Sequence, residues 1–167
     1  MPRIFDVPLD ANPQILLHRL AELGYTRTNW TLDAPYSRLS FTLDDDAATF
    51  RKVDVLICNN PSKIAKLSIQ GKDPDNFYEA VKKRFDLGIT EWEKDDRADF
   101  RHGKYERAYE GHTKAVLNSD RHGTELLLEA EDVTEECQRA LAKDIEDLSQ
   151  SAKAELDAQR KRQRETF

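Results

Sequence analysis

Glycine and proline are scarce in this chain, at six residues each out of 167, and cysteine and methionine are scarcer still, at two and one. Six glycines leave little material for a phosphate-cradling loop, and no P-loop, G-x-G-x-x-G or G-x-S-x-G pattern occurs. The low glycine and proline content excludes collagen-like and low-complexity sequence. No stretch approaches the roughly 18 uninterrupted apolar residues that a membrane helix requires. Neither HExxH nor Cys-x-x-Cys is present, so neither common zinc signature is available. Positive charge is also in deficit: 26 Lys and Arg stand against 32 Asp and Glu, a net charge of −6. An acidic surface repels phosphates, which argues against nucleic acid or anionic lipid as a default partner.

What remains is 38% hydrophobic and 35% charged, with the apolar residues grouped in periodic runs. That grouping supports one folded core rather than disorder. The opening "MPRIFDVPLD" lacks a charged segment followed by an apolar one, so no signal peptide is expected. The resulting expectation is a soluble, cytoplasmic protein. In a reducing compartment Cys58 and Cys137 read as two unpaired buried thiols, the first in a strand and the second early in a helix, with a disulfide between them as the lesser alternative.

Asn12 and Pro13 signal the start of a first helix, Leu16, Leu20 and Leu23 form its apolar stripe, and Gly24 stops it. "RIFDV" ahead of it reads as a short strand. Strand-like runs follow at 25–32, 37–43 and 49–59, where Phe50, Val53, Val55 and Ile57 approach period-two alternation. Asp44 to Asp46 read as a hairpin turn between the last two.

A strand at 62–71 leads into a second helix at 73–88, capped by Asp73 or Asp75 and ended by Gly88, with Phe77, Val81 and Phe85 on one face. Further strands are expected at 89–94, 104–111, 113–119 and 124–131. "ELGYT" at 22–26 and "DLGIT" at 86–90 end the two helices alike, 64 residues apart.

The expected fold is therefore α+β: two tandem β-α-β-β-β units, mostly antiparallel sheet with helices on one side, followed by a long C-terminal amphipathic helix. The units span 1–61 and 62–131, and 132–167 is the helix, all within a single compact domain. Along that helix Val133, Cys137, Leu141, Ile145, Leu148, Ala152 and Leu156 recur every three or four residues, with Asp132 or Thr134 as the cap.

Arg-His-Gly occurs twice, in "DFRHGKYER" and "NSDRHGTELLLEAED". The same triplet opens the signature of the histidine phosphatases, whose histidine accepts a phosphoryl group. Position argues against that chemistry here. Only 45 residues follow His122, they hold no histidine, and "LLLEAED" is a strand pattern rather than a helix. "SDRHGT" reads instead as a turn, with Asp120 and Gly123 supplying its chemistry. His102, His112 and His122 are spaced by ten, and adjacent strands would have to gather them before they held a metal or served a small hydrolase.

By elimination the expected class is a non-enzymatic protein-binding protein of inhibitor, immunity or adaptor type, with no cofactor and no metal. Residues 71–131 carry 15 acidic and 11 basic residues, against a neutral first 70. Within them Glu91, Trp92, Glu93, Asp95, Asp96, Asp99, Tyr105 and Tyr109 set aromatics among carboxylates, the pattern of anchors in a contact surface. The expected partner is another protein with a basic surface, and a homodimer through the C-terminal helix is the alternative assembly. The only dense basic cluster, "RKRQR" at 160–164, offers a nucleic-acid-associated module as the second reading.

Overall fold

The side chain of Asn12 accepts a hydrogen bond from the Gln14 amide, and Pro13 occupies the first helical position, so the first helix begins where its signals stand. In a computed structural model of the chain, the structure describes residues 3–84, 93–94, 101–109, 113–120 and 122–166. The elements run β1 (Arg3–Ile4), β2 (Val7–Pro8), α1 (Pro13–Glu22), β3 (Thr26–Asp33), β4 (Tyr36–Thr42), β5 (Lys52–Asn59), β6 (Ser62–Gly71), α2 (Pro74–Arg84), β7 (Glu93–Lys94), β8 (Arg101–Tyr109), β9 (Thr113–Asp120), β10 (Gly123–Ala130) and α3 (Glu131–Thr166). The fold is α+β.

β1 and β2 form a small hairpin turned by Phe5 and Asp6, both at positive φ. The other eight strands make one antiparallel sheet in the order β3-β4-β5-β6-β10-β9-β8-β7. Its centre is the β6–β10 seam, where Leu126 stands opposite Ile69 and Leu128 opposite Leu67. Two rows of directly opposed residues cross the sheet. Leu39, Val55, Leu67, Leu128 and Ala115 form one; Phe41, Val53, Ile69, Leu126 and Leu117 form the other. All ten are buried, because period-two alternation sends every second residue to the same face. Leu16 and Leu20 of α1 and Phe77 and Val81 of α2 close this face, all at 2% exposure or less. Each fully buried aliphatic or aromatic side chain contributes roughly 1.5–3 kcal/mol.

The opposite face is polar and half-exposed, and α3 covers only one end of it. Leu56 and Cys58 alternate with the core-facing Val55 and Ile57, and they meet Val133 and Cys137 together with Ala65 and Tyr36. α1 and α2 thus pack on one side of the sheet and the start of α3 on the other.

Several expectations change in detail. Cys58 and Cys137 are joined in a disulfide, not free, across a sequence separation of 79. Leu23 does not complete the stripe of α1; it is the C-cap residue and 38% exposed. The strand expected from residue 49 starts at Lys52. Residues 43–51 form a longer loop than a tight turn, closed by the Leu43 amide donating to Arg51 O. Within that loop Phe50 turns inward and packs edge-on against Phe77 and Phe5, at 5.0 and 6.0 Å between centroids. Asp73 is the cap of α2, accepting from the Asn76 amide. Neither Asp132 nor Thr134 caps α3, which starts directly out of β10; Thr134 donates to Ala130 O. Phe85 and Gly88 lie outside the described residues.

Candidate interaction surfaces

The polar face of the sheet is a ladder of side-chain hydrogen bonds. Ser68 Oγ and Gln70 Nε2 both donate to Glu125 Oε2 at 3.0 Å, Ser40 Oγ donates to Asp54 Oδ1, and Lys66 Nζ stands 3.7 Å from Glu129 Oε1. At the strand ends this face opens into a groove of about 760 Å³ lined by Arg51, Lys52, Lys72, Asp44, Asp120 and Glu125 among others. Three cations and three carboxylates give it no net sign. Arg51 is already paired with Asp46 at 3.1 Å and Lys52 with Asp54 at 3.8 Å. The lining also holds Thr42, Thr124 and His122, which makes the groove a mixed polar and charged surface.

His122 sits at the rim, its amide donating to Asp120 Oδ1 at 2.7 Å in the turn between β9 and β10. That is the side-chain-to-backbone bond that favours Asp at a turn, and Gly123 follows at φ +137°. "DRHG" is thus the connection of the β9–β10 hairpin. His102 lies on β8 opposite Glu93, while His112 lies outside the described residues. Among the described residues no group of three metal-ligating side chains is gathered.

Of the acidic segment, Glu93 lies on β7 in register with His102. Tyr105 and Tyr109 lie on β8 opposite Leu117 and Thr113 of β9. Glu91, Trp92, Asp95, Asp96 and Asp99 lie outside the described residues.

Two apolar features stand out on this polar molecule. The first is α3. Its opening turns are held by the disulfide, by Lys63 Nζ to Glu136 Oε2 at 3.3 Å, and by Gln138 Nε2 donating to Tyr36 Oη at 3.2 Å. From Ala142 to Thr166 every residue is exposed. At 1.5 Å per residue this leaves a projection of roughly 37 Å. It presents Ile145, Leu148 and Leu156 at 58%, 71% and 46% exposure. The charges are unevenly spread: residues 131–147 hold seven acidic and two basic residues, residues 148–166 three and five.

The second is β3. It is an outermost strand of the sheet, and all eight of its residues are exposed, Trp30 at 59% and Leu32 at 66%. The stripe of α3 was legible in its spacing. The exposure of β3 also has a signal in the sequence: "TRTNWTLD" places Trp30 and Leu32 on one face with no third apolar residue to anchor it, which is the composition of an edge.

No membrane-spanning helix exists among the described residues. Comparison with protein-family models, with curated proteins and with solved structures finds no match to this chain.

Proposed function

We propose that this chain is a non-enzymatic protein-binding protein of inhibitor, immunity or adaptor type. The observation that carries the reading is the projecting part of α3: about 25 residues of helix with Ile145, Leu148 and Leu156 open to solvent. A helix in a globular protein draws most of its stability from burying its apolar stripe rather than from propensity alone. A stripe left bare is a surface for another chain. The acidic segment with Glu91, Trp92, Glu93, Asp95, Asp96, Asp99, Tyr105 and Tyr109 is the second contact, and its charge selects a partner with a basic surface. The tandem reading of residues 1–61 and 62–131 belongs to the same proposal. The strand order supports a tandem only with the boundary moved past β6: α1 and β3 to β6 lie on one side of the β6–β10 seam, α2 and β7 to β10 on the other.

The test is a pull-down from native cell extract with the wild-type chain, Leu148→Lys, and a triple reversal at Asp95, Asp96 and Asp99. A stoichiometric partner that is retained by wild type and lost by both variants is expected. If the wild type retains no partner, the reading fails. If the partner survives the triple reversal, the acidic segment is not the contact.

A second reading rests on Arg160, Lys161, Arg162 and Arg164, all exposed on the last turns of α3. A nucleic-acid contact there would weaken steeply with salt, and no binding at low salt would remove it.

A further inference from the structure

Resting on the reading of the bare α3 stripe as a contact surface, we infer that this part of the helix pairs antiparallel with the same segment of a second copy. The result is a two-fold dimer in which Asp144 of each chain faces Arg162 of the other. Ile145, Leu148, Ala152 and Leu156 recur at spacings of 3, 4 and 4, which keeps them within about 80° of one another around a straight helix. All four are exposed, as is every residue from Ala142 to Thr166. Charge decides which chain covers them. Residues 142–151 hold three acidic residues and one basic, and residues 152–166 hold three acidic and five basic. A parallel pair would stack acidic on acidic and basic on basic, whereas an antiparallel pair lays each half on its opposite.

Helix geometry then selects one register. In an antiparallel pair a two-fold axis brings like flanks of the two helices together, so facing charges must lie on the same side of the stripe. Asp144 and Arg162 do: their separation of 18 residues is about five full turns, and both border the stripe beside Leu148. Measured around the helix from Asp144, Lys161 points about 100° away, and Lys153, Arg160 and Arg164 about 160–180° away. Arg162 alone of these cations shares the flank of Asp144. Setting Asp144 against Arg162 of the second copy places the axis level with Lys153, whose own side chain points away from the seam. Along the seam the order becomes Leu148, the second copy's Leu156, Ala152, the second copy's Ala152, Leu156 and the second copy's Leu148, at steps of about 3 Å. The apolar side chains of the two chains thus alternate, with the small Ala152 beside the axis. On the flank of the ion pairs Glu155 meets Ser151 of the second copy. Moving the register by about one turn sets Asp144 against Ala158 or Thr166 and loses both pairs. The paired segment, 142 to 164, lies wholly within the exposed length of the helix. Among the described residues neither Asp144 nor Arg162 has an ion-pair partner within its own chain. Exposed pairs add little affinity but fix register and direction, and burial of the stripe holds the helices together.

The test is sedimentation equilibrium of the full chain. Wild type is expected to dimerise by roughly 100 µM, and Leu148→Lys, at the seam, to stay monomeric there. Asp144→Arg and Arg162→Asp each turn two attractive contacts into repulsive ones, and each should weaken the dimer about fivefold or more. The double variant Asp144→Arg/Arg162→Asp restores both pairs and should return to within about threefold of wild type. Amides beyond Leu141, weakly protected in the monomer, should gain protection as the dimer forms. Direction is read by oxidation of single cysteine variants. Ala152→Cys should cross-link, since its copies lie about 3 Å apart along the helices and face each other across the seam. Gln159→Cys should not, because its copies stand roughly 18 Å apart, whereas a parallel pair would join them. A chain that is monomeric at roughly 100 µM, or a dimer that survives Leu148→Lys, overturns the inference. So does a dimer indifferent to either single reversal or not restored by the double variant, and so does cross-linking through Gln159→Cys. A monomeric chain that still retains a partner from extract, lost in Leu148→Lys, sinks the dimer while the contact reading of α3 stands. A dimer with the expected cross-link that retains no partner from extract supports the dimer and removes the other reading.

Discussion

Gly71, the last residue of β6, lies so close to the loop ahead of β5 that a methyl group in place of its hydrogen would strike the Thr49 carbonyl and come within 2.9 Å of Phe77 Cδ2. The obstacle is backbone on one side and a buried ring on the other, so neither yields. Gly71→Ala is expected to cost about 2 kcal/mol or more, the range for overfilling a packed site, measured by urea denaturation. Tyr25 gives a second residue-scale expectation. Its hydroxyl donates to Phe50 O, and burial pushes its pKa up from 10.0 to about 12. The folded state thus holds this proton at pH values where the unfolded chain has released it. Stability from this group is intact below pH 10 and falls as pH rises from 10 towards 12, by on the order of 2 kcal/mol. Tyr25→Phe should flatten that part of the stability–pH profile relative to wild type, whatever the other tyrosines contribute. Local signals of this kind were legible in part: Asn12 and Asp73 cap as their chemistry demands, and Asp120 makes its turn. Asp132 and Thr134 do not cap because α3 already begins at Glu131, which puts both inside the first turn, where Thr134 donates back to Ala130 O.

Among the elements, α3 is held by its first two turns and by one covalent bond. In the chain-entropy picture a cross-link closing a loop of this size stabilises the fold by about 4 kcal/mol. Both sulfur-bearing residues are 0% exposed. Reduction is therefore expected to require partial opening, and then to lower the melting temperature by roughly 10 °C for a chain of this length. Thermal melts with and without a strong reductant check this, and thiol titration of the unreduced, denatured chain should find no free thiol. Hydrogen exchange on the free chain should show protected amides through about Leu141 and weak protection beyond it, since from Ala142 onward no packing supports the helix. The helix itself was evident from its three-to-four periodicity. Where it leaves the sheet was not, because Val133 and Ile145 look alike in the sequence, and only the reach of the sheet beneath them separates the buried residue from the bare one.

On the scale of the whole molecule, the strand sequence was largely readable and the strand order was not. Alternation in Val53, Val55 and Ile57 identifies a strand and its buried face, but nothing local states that β6 pairs with β10 rather than with β7. The disulfide escaped for the same reason. Its cysteines lie in a strand and a helix separated by 79 residues, and only tertiary packing of α3 on the polar face brings them together. Their pairing also bears on the expected cytoplasmic setting, since such bonds persist where the surroundings are oxidising. The acidic segment proposed as a contact was drawn from composition alone, and its charge reversals remain its test.

The covalent link also determines how the molecule transmits force. Tension applied to the far end of α3 acts through an arm of roughly 37 Å, and without a tether it would peel the first turns of the helix away from β5 and β6. With Cys137 fixed to Cys58, peeling stops at residue 137. The pull is then delivered to β5, an interior strand of the sheet, so that a partner gripping the helix tip draws directly on the core.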